Sequence, residues 1–197
     1  MAIDAKTVGE LRERTGAGMM VAKKALEEAG GDMDKAIEIL KEKGAAKAAK
    51  RAGRSTGEGI IYSYIHGTGK LGVMLELQCE TDFVARNEQF SELAHKLAMH
   101  IAAADPQYLD AESVPAEDVE KAKAGFAAEA EGKPEDVVAK IVEGKMDKWL
   151  AETVLLKQPF VMDEDKTIET VLTEAIATIG ENIRMSRFAR FNIEGGM

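Results

Sequence analysis

Gly67-Thr-Gly-Lys70 has the glycines and the lysine of a phosphate-cradling loop. A true loop of that kind needs an earlier glycine, with four residues between it and the second, and a hydroxyl directly after the lysine. Tyr64 and Leu71 hold those places, so the stretch reads as a hairpin turn. The three histidines offer no metal pair either. His66 lies on the turn, and His95 and His100 are five apart, which misses the i, i+4 spacing of two ligands on one helix face. The single cysteine, Cys79, excludes an intrachain disulfide and any multi-cysteine metal centre, and it fits a reducing compartment. It ends an apolar run and reads as a small buried hydrophobe. Asp163-Glu-Asp165 reads as a solvated turn before a helix. No pairing of acid and base emerges, so neither bond-making chemistry nor a cofactor or metal is expected.

Two stretches carry more than a generic fold requires. In Cys79-Glu-Thr-Asp-Phe-Val-Ala-Arg-Asn-Glu-Gln-Phe90 an apolar run ends in charge and hydroxyl, yet a phenylalanine directly follows an aspartate. Phe83 is either a core residue at a strand-to-helix turn or an aromatic tip aimed outward, and Thr81 or Asp82 can cap the turn. In Thr15-Gly-Ala-Gly-Met-Met-Val21 the adjacent Met19 and Met20 cannot both face one core stripe. One reading makes them adaptable contacts for a partner; the other makes them gap-fillers in a small core.

The elements that must hold these stretches follow from periodicity. Residues 3–44 predict three short amphipathic helices: Val8 and Leu11 on the first, Met19 to Ala29 as the second, then a third after Asp32 as cap. Its stripe is Met33, Ala36, Ile37 and Leu40, and it is expected to stop before Gly44. Residues 45–57, with Lys47, Lys50, Arg51 and Arg54 and no large apolar side chain, predict a solvated basic linker, with helix open to it at its start. An RNA-binding arm is the lesser reading, since no aromatic partner is present for stacking.

The rest, 58–197, predicts a core of a small antiparallel sheet packed with helices. Ile60–Ile65 and Leu71–Cys79 are strands; in the second, Leu71, Val73, Leu75, Leu77 and Cys79 share one face. A helix through Phe90, Leu97 and Ile101 follows, then a helical hairpin over 115–150 with prolines suited to its first turns. Ile168, Leu172, Ile176 and Ile179 mark a further helix. A last strand alternates through Ile183, Met185, Ala189, Phe191 and Ile193, with Arg187 and Phe188 at odds with that pattern.

A chain of 197 residues suits one medium domain, or a small module joined to a larger one. Its net charge of −9 argues against life on nucleic-acid phosphates. The N-terminus is polar, and no apolar run is long enough to span a bilayer. A cytoplasmic protein is expected.

Leu11 to Leu26 and Glu76 to Asn87 together resemble the two signature segments of bacterial elongation factor Ts. The similarity extends through Ala98-Met-His-Ile101, Glu143-Gly-Lys145, Gln158-Pro-Phe-Val-Met162 and Gly180-Glu-Asn182, with the motifs in the same order. The resemblance implies an α+β fold: a three-helix bundle of the ubiquitin-associated type at 1–44, a linker at 45–57, and a core domain carrying the helical hairpin. It implies a translation factor that docks on the GTPase elongation factor Tu and promotes GDP release. By that pattern Arg12, Met19, Met20, Val21 and Lys23 contact the partner from the bundle, and His66, Val161, Met162 and Ile179 from the core. Thr81, Asp82, Phe83 and Val84 belong to the segment that displaces the partner's Mg²⁺.

Longer members of the family carry two related copies of the core, and this sequence holds one. His66 and the Thr81–Val84 tip stand in for parts that those members place on separate copies, so a homodimer is expected. The competing readings are a helical-bundle adaptor, which leaves the core unexplained, and a ribosome- or RNA-associated protein, which conflicts with the charge.

Overall fold

The computed structural model describes residues 3–193. It opens with three helices, α1 (Ala5–Thr15), α2 (Met19–Glu28) and α3 (Met33–Arg51). Each boundary has a local cause. The Asp4 side chain accepts the Thr7 N–H at the start of α1, and Gly16, at φ 67°, closes that helix by donating its N–H to the Arg12 carbonyl. Asp32 caps α3 by accepting from the N–H groups of Asp34 and Lys35. Val8, Leu11, Ala22, Ala25, Leu26 and Ala36 form the bundle's core, with Met33, Ile37 and Leu40 packed against it.

The third helix departs from expectation. It does not stop before Gly44 but continues to Arg51, taking in the first half of the basic stretch. The alanines and lysines of 45–50 are good helix formers. Gly44 serves packing instead of termination: it is buried, and a Cβ there would lie 3.3 Å from that of Ala177.

Strands β1 (Glu58–His66) and β2 (Leu71–Cys79) follow, then α4 (Asp82–Ala85), α5 (Glu88–Ala104), α6 (Ala116–Glu129) and α7 (Glu135–Thr153). A 3₁₀ turn (Leu155–Lys157) leads to β3 (Pro159–Phe160), β4 (Asp163–Thr167), α8 (Ile168–Ile179) and β5 (Arg184–Asn192). The main sheet has the order β1-β2-β5, and β3 pairs with β4 in a separate antiparallel ribbon. The chain divides into two compact units: residues up to Ile60 with Gln78–Ser91 and Leu172–Arg184, and Ile61–Leu77 with Glu92–Val171 and the residues from Met185 on. Among the described residues no helix is long and apolar enough to cross a membrane.

On β2 the expected alternation holds, with Val73, Leu75, Leu77 and Cys79 buried. Helices α6 and α7 pack on one another as the expected hairpin, and Pro115 and Pro134 stand at their N-caps, one step ahead of the first turn. The acidic segment Asp163-Glu-Asp165 is strand, not turn. Its backbone pairs with β3 (Pro159 opposite Thr167, Phe160 opposite Asp163), and charged side chains are at home on so short and exposed a ribbon.

The last strand shifts phase. Arg184 donates to Gln78 (3.2 Å) and Arg187 to Glu76 (2.7 Å), so β5 advances three residues while antiparallel β2 advances two. That is the count of a β-bulge. Beyond it Phe188 and Arg190 turn half-buried while Ala189, Phe191 and Ile193 face outward, the reverse of the expected alternation. Ser186 Oγ is left buried with no hydrogen bond at the slip.

Because Gly44 admits Ala177 so closely, Gly44→Leu should destabilise the chain by about 1–3 kcal/mol through overpacking. Thermal melting checks this: a fall of about 2–12 °C is expected, with part of it recovered by adding Ala177→Gly.

Candidate functional site

Helix α4 is only four residues long and has no buried side chain. A helix so short has no stability of its own, so its flanks must hold it. Thr81 is its N-cap, with Oγ1 accepting the Val84 N–H at 3.5 Å. The same hydroxyl donates to Glu181 Oε1 at 2.7 Å, while Glu181 Oε2 accepts the backbone N–H groups of Glu80 and Thr81, each at 3.0 Å. The Thr81 carbonyl accepts from Cys79 Sγ at 3.2 Å.

A second carboxylate answers the first. Glu80 Oε1 accepts the Asn182 N–H at 2.7 Å, so residues 80–81 and 181–182 each give a side-chain carboxylate to the other's backbone. Arg51 and Arg54 reach Glu80 at 3.4 and 3.2 Å, and Asn182 Nδ2 donates to the carbonyls of Ala52 and Arg54. The Asn182 N–H foremost, then the two guanidinium groups, hold the Glu80 carboxyl below its usual range. Burial raises the Cys79 thiol, and the negative charge of Glu181 adds to that, so the thiol stays protonated and able to donate.

Fixed in this way, α4 projects Phe83 into solvent with 83% of its surface exposed. Of the two readings the sequence left open, the outward tip is the one found, and Thr81 caps the turn as well. Asp82 pairs with Arg86 at 3.2 Å. Val84 is half-buried.

On the bundle, Met19, Met20 and Val21 begin α2 and are all exposed, as are Arg12 and Lys23. Neither methionine fills the core, because Ala22, Ala25 and Leu26 occupy the inward face of that helix. Ile179, at the end of α8, is half-buried. These residues and the Thr81–Val84 tip belong to the first compact unit, and His66, Val161 and Met162 to the second.

His66 ends β1 exposed, with Nδ1 2.8 Å from the Tyr64 hydroxyl. Val161 and Met162 form the exposed link between β3 and β4. Behind them lies a buried histidine. His100 Nδ1 accepts the Val161 N–H at 3.3 Å, which puts the ring proton on Nε2, where it donates to Gln158 Oε1 at 2.9 Å. Gln158 Nε2 donates in turn to the carbonyls of Glu152 and Ala104. Burial lowers the His100 pKa, partly offset by Gln158. Among the described residues no group of three or more His, Cys, Asp or Glu is placed to hold a metal ion.

Several of these contributors escaped the sequence reading. Glu80 and Glu181 are 101 positions apart, and neither lies in a pattern that predicts the other. The available signal was the segment Gly180-Glu-Asn182, which ends a helix with a charge and an amide directly before a strand.

The sequence profile of the family described as Elongation factor TS matches residues 13–175. The Elongation factor Ts of Thermosipho melanesiensis is 56% identical over 193 residues, covering 97% of this chain and 98% of that relative. The Elongation factor Ts of Acetivibrio thermocellus is 56% identical over 191 residues, covering 96% and 89%. That of Thermotoga maritima is 52% identical over 196 residues, covering 100% and 98%.

The His100 network sets a pH dependence. A histidine whose folded-state pKa is depressed binds its proton better when unfolded. Its stabilising contribution is therefore whole above pH about 6.5 and is lost as the pH falls toward the lower folded-state value, at up to about 1.4 kcal/mol per pH unit. Denaturant unfolding at pH 7, 6 and 5 should show this slope in the wild-type chain and a shallower one in His100→Gln.

Proposed function

The chain belongs to the elongation factor Ts family, and from that premise we propose that it releases GDP from elongation factor Tu by inserting the tip that carries Phe83. The observation behind this reading is an aromatic ring held out to solvent by a polar framework. A GTPase holds GDP through its phosphates and a bridging Mg²⁺. An exchange factor must bind the nucleotide-free partner more tightly than the GDP form, and by linkage it weakens GDP by the same factor. Burying the Phe83 ring in a partner cleft returns roughly 1.5 to 3 kcal/mol, which offsets part of the strain of the emptied state. Thr81, Asp82, Phe83 and Val84 act together, with Asp82 bringing negative charge toward a site built for Mg²⁺ and phosphate. No bond is made or broken by this chain, and no cofactor of its own is required.

The three-helix bundle, 1–44, is the docking domain in this reading, with Met19, Met20 and Val21 as its apolar contacts and Arg12 and Lys23 at their margin. His66, Val161, Met162 and Ile179 add contacts from the core. The setting is the cytoplasm, where translation takes place.

The active form is a homodimer. On the second compact unit Ile61 and Ile65 of β1, Met74 of β2 and Phe191 of β5 are all exposed, with Phe191 at 70%. Ile65 lies over Gly72, where a Cβ would come within 3.0 Å of its Cδ1. So broad an apolar sheet face on a short single-core chain suits a second copy, since a two-fold interface brings the same surface together twice. Two copies would supply His66 and Phe83 to one partner molecule from different chains.

Labelled GDP bound to elongation factor Tu tests the exchange reading. The wild-type chain should accelerate GDP loss, and Phe83→Ala should forfeit most of that acceleration with its melting temperature unchanged. Equal rates for the two chains would discard the tip as the agent of release.

Light scattering at micromolar concentration tests the assembly. The wild-type chain should have the mass of a dimer, and Ile65→Asp with Phe191→Asp should give monomers with reduced exchange. A wild-type monomer with full activity rules the dimer out.

A further inference from the structure

We propose that Glu181 is the positioning residue that aims Phe83, acting through the peptide groups and hydroxyl of Thr81. The assignment rests on the exchange reading given above and names the group on which the tip's geometry depends.

The α4 helix cannot orient itself. It has a single turn and no fully buried side chain, and Phe83 itself is 83% exposed, so no core packing fixes the direction of that ring. Its N-terminal anchor is Thr81, which Glu181 holds at two atoms, the backbone N–H at 3.0 Å and the hydroxyl at 2.7 Å. The hydroxyl carries the restraint onward. By donating its proton to Glu181, Oγ1 turns a lone pair toward the Val84 N–H, one residue beyond Phe83. The Glu80 N–H on the same carboxylate fixes the chain one residue earlier. Three charge-assisted bonds thus converge from one side chain on the residues that launch the tip.

Loss of Glu181 alone should spare the fold. The reverse bond from Glu80 to the Asn182 N–H would remain, as would the ties from Arg51, Arg54 and the Asn182 side chain. What would go is the direction of α4. Glu181 is therefore distinguishable from a residue that only supports stability.

Glutamine can take over most of this geometry. Its carbonyl oxygen can accept both backbone N–H groups, and its amide can donate to Thr81 Oγ1, which has a second lone pair free for the Val84 N–H. Aspartate keeps the charge but draws the carboxylate back by one methylene and cannot span the same gap.

The experiment compares GDP release from elongation factor Tu at saturating concentrations of the full chain and of the variants Glu181→Ala, Glu181→Asp, Glu181→Gln, Phe83→Ala and Glu181→Ala with Phe83→Ala. Glu181→Ala and Glu181→Asp should slow release by about tenfold or more, as expected for loss of charge-assisted bonds. Glu181→Gln should restore most of the rate. The double variant should be no slower than Phe83→Ala alone, because Glu181 acts through that ring. Amide exchange at residues 80 and 81 should be faster in Glu181→Ala and near wild type in Glu181→Gln.

A wild-type chain that fails to accelerate GDP release overturns the exchange reading and this assignment with it. A wild-type chain that works, beside an equally fast Glu181→Ala or Glu181→Asp chain, overturns the assignment alone. So does a double variant slower than Phe83→Ala by the full Glu181→Ala factor. If Glu181→Ala does not fold, the Glu181→Asp and Glu181→Gln pair decides: equal rates for those two count against the assignment.

Discussion

Two short segments, 80–81 and 181–182, exchange carboxylates: Glu181 accepts backbone N–H groups from the first and Glu80 accepts one from the second. Each segment lies where a regular element has ended and its backbone donors would otherwise be unpaired. The crosswise bonds satisfy those donors and close the junction between the end of β2 and the loop after α8. Arg51 and Arg54 place the end of the long third helix on the same carboxylate. A four-residue helix with no core of its own can stand at that junction only because both flanks are fixed.

The result is a hydrogen-bonded base beneath an exposed apolar tip. A phenylalanine left 83% exposed contributes nothing to the fold of the isolated chain. Its ring is instead presented at little ordering cost, since the atoms around it are already held. The methionines at the start of α2 follow a different design. Ala22, Ala25 and Leu26 complete the core, so Met19 and Met20 are left as exposed, flexible side chains. Both surfaces lie in one compact unit.

The sheet shows how a one-residue slip alters a surface. With strict alternation, Phe188 would face away from the core. The bulge implied by the Arg184–Gln78 and Arg187–Glu76 pairs brings Phe188 inward and leaves Phe191 exposed on β5, next to the strand that carries Met74 and one strand further from Ile61 and Ile65. Arg187, which looks misplaced in the sequence pattern, then sits on the outer face and pairs with Glu76. An apolar surface that would otherwise be interrupted is thereby extended by Phe191.

Much of the architecture was legible in the sequence, because helix phase, caps and strand alternation depend on residues within a few positions of one another. Asp32 as a cap, the glycine breaks after Thr15 and Ala29, the buried face of β2 and the α6–α7 hairpin all follow from such local rules. The resemblance of Glu76–Asn87 to a family segment located the candidate tip, but periodicity alone left Phe83 undecided between core and surface. Tertiary structure decided the rest. Gly44 reads as a helix stop until Ala177 occupies the space its missing Cβ leaves. Asp163–Asp165 reads as a turn until its backbone finds β3. Glu80 and Glu181 read as two ordinary surface acids until the fold brings them across 101 positions to each other's backbone. In each case the deciding partner is distant in the chain, and a hydrogen bond or a steric contact depends on distance in space, which local sequence does not encode.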